Sequence, residues 1–229
     1  MERTLVRALI ASAVCVGHAS ADVNYSNNFQ SGVAGPEWSH RHVETAPLGG
    51  QMFLGQFAND SVSLSLADVR RGEQVNLTFD FLAIRTWDGN DGGGGPGPDI
   101  FTVSIDSGPI LLASTFSVGD PLSRHRMSYP DVAGVDAHPS RWGALYNDTL
   151  GYTYGPTNFP LDATWRMNFS FIAPADGLTI RFAALGLQDI NDESWGLDNV
   201  HVSTSTVPTP GVLALTGAGL AASMRRKRR

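Results

Sequence analysis

The chain has 229 residues, of which 16 are basic, 22 are acidic and 42% are hydrophobic. Residues 22–206 contain nine basic and 21 acidic residues, and this net charge of −12 disfavours binding to nucleic acid or anionic lipid. The single cysteine, Cys15, lies near the amino terminus. Residues 22–206 therefore have neither disulfides nor thiolate chemistry, and the domain must be stabilised by its core alone.

The amino-terminal residues 1–21 have the pattern of a secretory signal peptide. Arg3 and Arg7 precede or begin an apolar stretch over residues 8–17, and a small-x-small sequence, Ala-Ser-Ala, closes the segment. This pattern predicts an N-terminal signal helix that signal peptidase removes, so that the mature chain begins at Asp22.

The next segment, residues 22–203, has the alternating polar and apolar pattern of antiparallel strands. The alternating stretches are residues 61–66, 75–81, 101–105, 165–171, 178–182 and 200–202. Residues 51–57 and 110–116 are more continuously apolar, which predicts two inner strands. Turn residues separate about nine or ten such strands, and no amphipathic helix lies between the two ends. We therefore predict an all-β domain, an antiparallel β-sandwich of jelly-roll-like type.

Two stretches interrupt the strand pattern and are expected to be loops. Residues 87–98 read WDGNDGGGGPGP, and residues 118–161 are long and irregular. A connection of that length on a sandwich is more often functional than idle. Trp87, Trp142 and Tyr146 lie in these loops and are candidate contacts for sugar rings, because Trp and Tyr combine an apolar face with a polar group. The alternative is that each ring packs in the core.

Oxygen-rich side chains are concentrated in two predicted loops, which suggests calcium as a cofactor. The candidates are Asp88, Asn90, Asp91 and Asp99 in the first loop, and Asp192, Glu193 and Asp198 near the start of the last strand. Crowded carboxylates repel one another unless a cation or hydrogen-bond donors lie between them, and calcium prefers oxygen ligands. In the alternative interpretation, these side chains cap backbone amides in turns, and Asp198 and Asn199 make buried hydrogen bonds that close the sandwich.

No catalytic motif is present in the sequence. The glycines at 92–95 lack the GK[ST] of a phosphate-binding loop, and neither GxSxG nor HExxH occurs. Among so many acidic residues some carboxylates will always be close, so proximity alone does not indicate a glycosidase. We predict that the protein is not an enzyme, and a polysaccharide-active enzyme is the alternative.

The carboxyl-terminal tail, residues 204–229, has three parts. A proline motif at residues 207–211 is followed by an apolar stretch at 212–224 and by a basic cluster. The residues concerned are Val207, Pro208, Thr209 and Pro210 in the motif, and Arg225, Arg226, Lys227, Arg228 and Arg229 in the cluster. A helix over the apolar stretch would span about 20 Å, less than the roughly 30 Å of a bilayer core. Such a helix suits a temporary membrane stop, with the basic cluster on the cytoplasmic side.

The order of these three parts resembles the PEP-CTERM sorting signal of bacteria, with Thr209 where glutamate is usual. The resemblance implies secretion through the inner membrane, recognition by an exosortase, and display at the cell surface or in the extracellular matrix. The tail would anchor the chain in the membrane only transiently. A plain C-terminal membrane anchor is the alternative.

The preceding domain is similar to a group of uncharacterised exported bacterial domains that commonly carry such tails. The similarity spans about residues 60–202 and rests on WDGND, PDIFTVSIDSGPILLASTFS, SYPD, NDTLGYTY and GLQDINDESWGLDNVHV, in that order. It implies a galactose-binding-like or lectin-like jelly roll, in which calcium is often structural. We therefore expect a non-catalytic adhesive domain that binds extracellular polysaccharide, or else a purely structural matrix protein without a ligand.

Overall fold

A computed structural model describes residues 22–90, 97–119, 125–135, 137–155 and 159–206. The predicted signal helix and the predicted sorting tail lie outside the described residues. The described part of the chain has no helix that is long and apolar enough to cross a membrane.

The described residues form fifteen strands. They are β1 (Asn24–Asn27), β2 (Val43–Thr45), β3 (Met52–Phe57), β4 (Ser61–Leu66), β5 (Gln74–Arg85), β6 (Ile100–Ile105), β7 (Ile110–Thr115), β8 (Arg126–Met127), β9 (His138–Pro139), β10 (Tyr146–Asn147), β11 (Thr153–Tyr154), β12 (Phe159–Pro160), β13 (Asp162–Ile172), β14 (Leu178–Leu185) and β15 (Glu193–Ser205). The last strand continues two residues past the predicted end of the domain. Strands β8 to β12 are short and belong to the long connection between β7 and β13.

The long strands form two antiparallel sheets. The larger sheet has the order β10-β13-β5-β15-β3-β2, with β1 paired to the second half of the β15 edge, and the smaller has the order β4-β14-β6-β7. Among the eight long strands β3 to β7 and β13 to β15, every consecutive pair changes sheet except β6 and β7. This arrangement is a jelly roll, and it confirms the predicted all-β antiparallel sandwich.

The position of β7 differs from the prediction. Strand β3 lies inside the larger sheet, as expected, but β7 is an edge strand of the smaller sheet. Its free edge is covered, because the backbone N–H groups of Tyr129 and Ala133 donate to carbonyl groups of β7 at 3.3 and 2.8 Å. A covered edge tolerates an apolar sequence as well as an inner strand does, so residues 110–116 resemble an inner strand.

The core between the two sheets is centred on the ring of Phe81 in β5. This ring stacks on Phe101 of β6 with centroids 4.0 Å apart, and it meets the edges of Phe116 and Trp87 at 4.8 and 5.5 Å. Alternate side chains of β5 point into the same layer, as the period of a strand requires. They are Val75, Leu77, Phe79, Phe81 and Ala83, and all five are buried.

The outer face of the larger sheet carries a second, smaller apolar cluster. The segment over residues 149–152 contributes two side chains to this cluster, and its backbone is held against the sheet by the buried carboxylate of Asp162. The Asp162 oxygens accept hydrogen bonds from the four backbone N–H groups of that segment at 2.8 to 3.3 Å. The cluster consists of Ala46, Phe53, Leu82, Ile84, Leu150 and Tyr152. It covers one part of the outer face and leaves the polar part open.

The position of Phe81 predicts a large effect of truncation. Phe81→Ala should lower the free energy of unfolding by about 3–5 kcal/mol, because it removes a ring that four aromatic neighbours surround. Urea unfolding of the full-length chain measures this change. Ile110→Ala is the control, because Ile110 is 72% exposed and its truncation should change the stability by less than about 1 kcal/mol. Similar losses in the two variants would contradict the packing described above.

Candidate functional site

A polar cleft of about 420 Å³ lies on the outer face of the larger sheet. It is open to solvent and lies next to the small apolar cluster. Its lining comes from four strands of the larger sheet, from the turn before β3 and from the turn after β1. The lining residues are Gln30, Gly49, Gly50, Gln51, Asp80, Tyr146, Thr164, Arg166, Asp198 and Asn199.

An ion pair between neighbouring strands forms the floor of the cleft. Asp80 of β5 lies opposite Arg166 of β13 on one side and Asp198 of β15 on the other. Phe79 and Phe81 point into the core, so strand alternation directs Asp80 outward. Arg166 donates from Nε to Asp80 Oδ1 and from Nη2 to Asp80 Oδ2, both at 2.8 Å. This bidentate contact fixes the plane of the guanidinium group, while half of the Arg166 side chain stays exposed.

A bulge in β15 supplies two more polar groups. The pairing of β15 with β5 shifts by one residue between Asp198 and His201, and Asn199 has a φ of 49°. The extra residue turns the Asn199 side chain toward the cleft, where its Nδ2 donates to Asp80 Oδ2 at 2.8 Å. Asp198 accepts from Gln51 Nε2 and from the Asn199 backbone N–H, both at 2.7 Å. Two buried carboxylates therefore orient Arg166, Asn199 and Gln51.

Burial is the main cause of the raised pKa of Asp198. It raises the pKa of this carboxyl group to about 6, while the hydrogen bonds from Gln51 and Asn199 act in the opposite direction. The negative charge of Asp80 adds to the increase, and the positive charge of Arg166 offsets part of it. At neutral pH, Asp198 is therefore mostly ionised beside the Asp80–Arg166 ion pair.

The three aromatic candidates have different environments. Tyr146 of β10 is 53% exposed and lines the cleft, as a sugar contact requires. Trp142 is also exposed, but it stacks on His138 with centroids 5.2 Å apart and does not line the cleft. The prediction that Trp87 contacts a ligand is wrong. The chain turns inward after β5, so the Trp87 ring is fully buried and its Nε1 donates to the Ser194 carbonyl oxygen at 2.8 Å.

A group of three carboxylates lies at one end of the sandwich. Asp88 follows β5, Asp99 precedes β6, and Glu193 begins β15. One oxygen from each residue can be chosen so that all three lie within 4.8 Å of one another. The pairing of β15 with β5 places Glu193 opposite Arg85, three residues before Asp88. The structure thus combines members of the two predicted calcium loops in one cluster.

The two buried members of this acidic cluster are only partly hydrogen-bonded. Asp99 Oδ2 accepts from the Asp88 backbone N–H, and Glu193 Oε2 accepts from the Gln188 backbone N–H at 3.0 Å. Their other oxygens, Asp99 Oδ1 and Glu193 Oε1, are buried without an N–H or O–H donor from another side chain or the backbone in the described structure. The Asp99 and Glu193 carboxyl groups also lie against each other and form a hydrogen bond when one of them is protonated. Burial, followed by the charge of the neighbouring carboxylates, raises the pKa of both groups. Asp88 is more exposed, and its Oδ1 lies 3.6 Å from His125 Nδ1.

The other predicted calcium ligands are not members of this cluster. The Asn90 side chain donates to the Val135 carbonyl oxygen at 2.8 Å and accepts from the Thr115 hydroxyl group. Asp192 accepts from the Thr86 hydroxyl group. Asp198 lies five residues along β15 from the start of the strand, about 16 Å away at the usual rise, and belongs to the cleft instead. Asp91 lies outside the described residues.

Sequence reasoning missed four residues, Gln51, Asp80, Asp162 and Arg166. A signal was present for Asp80 and Arg166, because each places a charge at an outward position in the middle of an apolar strand pattern. Their opposite charges were compatible with a cross-strand pair. The pairing of β5 with β13 could not be read from the pattern, so neither residue was connected to the other.

Comparisons with known proteins give little beyond a weak structural likeness. No protein-family model and no curated protein matches this chain. The dimeric latent PorU of Porphyromonas gingivalis is similar at 12% identity and a TM-score of 0.38, over 80% of this chain and only 12% of PorU. The CBM22-1 xylan-binding domain of Paenibacillus barcinonensis Xyn10C is similar at 14% identity and a TM-score of 0.37, over 83% of this chain and 99% of that domain. Likenesses of this size do not indicate a function.

The raised pKa of Asp198 predicts that stability depends on pH. Because the folded state binds the proton more tightly than the unfolded chain, the stability from this group is full below about pH 4 and is lost as pH rises through 6. Between about pH 4.5 and 7.5 the loss should be about 2 kcal/mol. Asp198→Asn should remove this loss, because Gln51 can turn its amide group and keep the contact.

The measurement is urea unfolding of the full-length wild-type and Asp198→Asn chains at both pH values. The difference in unfolding free energy between the two chains should change by about 2 kcal/mol in favour of the variant as pH rises. Asp68→Asn replaces an exposed carboxyl group outside the cleft and should leave the wild-type pH profile unchanged. Parallel profiles for wild type and Asp198→Asn would show that Asp198 titrates normally.

Proposed function

We propose that this protein is exported to the cell surface or extracellular matrix and that its cleft binds a neutral polysaccharide without catalysis. The observation that carries the proposal is the set of preoriented donors, Arg166, Asn199 and Gln51, beside the exposed ring of Tyr146. An adhesive β-sandwich needs such a surface, whereas a purely structural matrix protein does not.

The chemistry of the cleft suits a sugar ring. Neighbouring hydroxyl groups of a sugar both donate and accept, and planar guanidinium and amide groups can bond to two of them at once. The two buried carboxylates hold these planar groups in place, so little side-chain freedom is lost when a ligand binds. An exposed tyrosine ring at the rim can stack on the apolar face of a sugar.

The charges in the cleft favour a neutral ligand. The positive charge of Arg166 is matched by Asp80, and Asp198 adds a second carboxylate below the same surface. The domain as a whole carries an excess of 12 negative charges over residues 22–206. An anionic polysaccharide would be repelled by this field before it reached the cleft.

The burial of the carboxylates favours binding over hydrolysis. Asp80 and Asp198 are only 3% and 2% exposed, and both accept hydrogen bonds from neighbouring side chains. A catalytic acid must come within hydrogen-bonding reach of the glycosidic oxygen, and the second carboxylate must reach the sugar or a water molecule beside it. Covered carboxylates are better suited to orienting the donors that contact the ligand.

Export is proposed from the sequence of the two ends of the chain. The signal-peptide pattern and the resemblance of the tail to a PEP-CTERM signal support secretion, processing by signal peptidase and exosortase, and transient membrane attachment. These steps would place the cleft where extracellular polysaccharide occurs. A plain C-terminal anchor would give the same exposure without processing.

Affinity electrophoresis of the full-length chain in gels that contain neutral or anionic polysaccharides tests the proposal. A neutral polysaccharide should retard the protein, and Tyr146→Ala should weaken binding about tenfold or more, equivalent to about 1.4 kcal/mol. Trp142→Ala is the matched control, because Trp142 is 51% exposed and lies outside the cleft. The control should bind as the wild type does.

Three results would contradict the proposal in different ways. If no neutral polysaccharide binds, the structural role without a ligand is favoured. If Trp142→Ala loses binding while Tyr146→Ala keeps it, the ligand binds outside the cleft. Release of reducing sugar from a bound polysaccharide would identify an enzyme.

A further inference from the structure

We infer that Asp88, Asp99 and Glu193 form a calcium site that joins three separate parts of the chain at one end of the sandwich. The inference goes beyond carbohydrate binding, because the three residues lie at the start of β6, the start of β15 and the exit of β5, and none of them lines the cleft.

The spacing of the three carboxylates fits a single calcium ion. Calcium binds oxygen at 2.3–2.6 Å, so two ligands on opposite sides of one ion are about 4.6–5.2 Å apart. The three oxygens lie within 4.8 Å of one another, so one ion can contact all of them without a large movement of the backbone. The backbone N–H groups of Asp88 and Gln188 each hold one oxygen of a buried carboxylate, which fixes the direction of the other oxygen.

The unpartnered oxygens supply an independent observation. Asp99 and Glu193 are both 0% exposed, and Asp99 Oδ1 and Glu193 Oε1 have no N–H or O–H donor from another side chain or the backbone in the described structure. A buried carboxylate oxygen is costly unless a donor or a cation satisfies it. A shared proton can satisfy only the Asp99–Glu193 pair, whereas one cation can contact all three carboxylates.

The ligand set favours calcium over other ions. All three ligands are carboxylates, which are the hard oxygen ligands that calcium prefers, and their combined charge suits a divalent cation. The Asp88 side chain remains 21% exposed, so water can complete a coordination shell of six to eight oxygens from that side. Magnesium requires a stricter octahedral arrangement and gives up its water reluctantly, so it should bind more weakly.

Calorimetric unfolding of the full-length chain, with about 1 mM calcium or with EDTA, tests the site. Calcium at about a hundredfold excess over its Kd should raise Tm by about 5–10 °C. Titration calorimetry on the EDTA-treated chain should show one site. Magnesium should give a smaller shift, and an equal or larger shift with magnesium or zinc would overturn the calcium assignment.

Variants locate the binding site. Glu193→Gln and Asp99→Asn keep the shape of each side chain and should lose the calcium-dependent rise in Tm. Asp68→Asn, which changes an exposed carboxyl group far from the cluster in sequence, should keep it. Tyr146→Ala should also keep it, so failure of this inference and failure of the carbohydrate proposal are distinguishable.

Terbium luminescence provides a local measurement that does not depend on the variants folding. Trp87 precedes Asp88 directly, so excitation of tryptophan should sensitise terbium bound at the cluster, and calcium should displace that signal. The inference is overturned if the wild type shows neither a calcium-dependent Tm shift nor calcium-displaceable emission. It is equally overturned if folded Glu193→Gln and Asp99→Asn retain both.

Discussion

Strand β5 is hydrogen-bonded along both edges, to β13 from Gln74 to Ile84 and to β15 from Gln74 to Arg85. Side chains alternate along a strand, so a slip of one residue would expose Phe81 and bury Asp80 in the aromatic layer. The aromatic packing on one face and the Asp80–Arg166 ion pair on the other therefore favour the same register. At the end of β5, that register also sets Arg85 opposite Glu193. Glu193 is thereby brought close to Asp88 and Asp99, the other two members of the acidic cluster.

The buried carboxylate of Asp162 connects this sheet to the long connection between β7 and β13. Its four backbone hydrogen bonds hold residues 149–152 over the apolar part of the outer face. The Leu145 N–H donates to the Thr164 carbonyl oxygen at 2.7 Å and continues this attachment on the other side of Tyr146. Backbone hydrogen bonds thus hold the chain on both sides of Tyr146, and the strand places its ring at the rim of the cleft. A rigid aromatic contact loses little conformational freedom on binding.

The sequence predicted the sandwich because strand alternation is a local property. Residues 61–66 and 101–105, for example, alternate as predicted and form β4 and β6. The interpretations that failed depended on long-range contacts. The covered edge of β7 and the inward turn at Trp87 are set by segments that are distant in the sequence. Local patterning carries no information about such contacts.

The candidate sites were predicted less completely for the same reason. Asp88 and Glu193 were both candidate calcium ligands, but 105 positions separate them and only the β5–β15 pairing brings them together. Asp198 was also a candidate calcium ligand, with buried hydrogen bonds as the alternative, and its contacts with Gln51 and Asn199 agree with that alternative. The strand carries it away from the cluster and into the cleft. Proximity along a strand is a poor guide to a shared site, because five residues already span about 16 Å.

Strand β15 shows two ways of burying a carboxylate in a domain that has few cations. Asp198 accepts hydrogen bonds from Gln51 and Asn199. The positive charge nearest to it in the cleft belongs to Arg166, which is paired with the neighbouring Asp80. Glu193 Oε1 has no donor among the described residues, and its contact with Asp99 is a hydrogen bond only when one of the two groups is protonated. Residues 22–206 contain no lysine and only nine arginines, and within the described residues no arginine forms an ion pair with the acidic cluster. His125 lies 3.6 Å from Asp88, and the calcium ion proposed above would add positive charge beside the two buried members of the cluster. The carboxylates of the cleft, by contrast, are satisfied by donors of the chain itself.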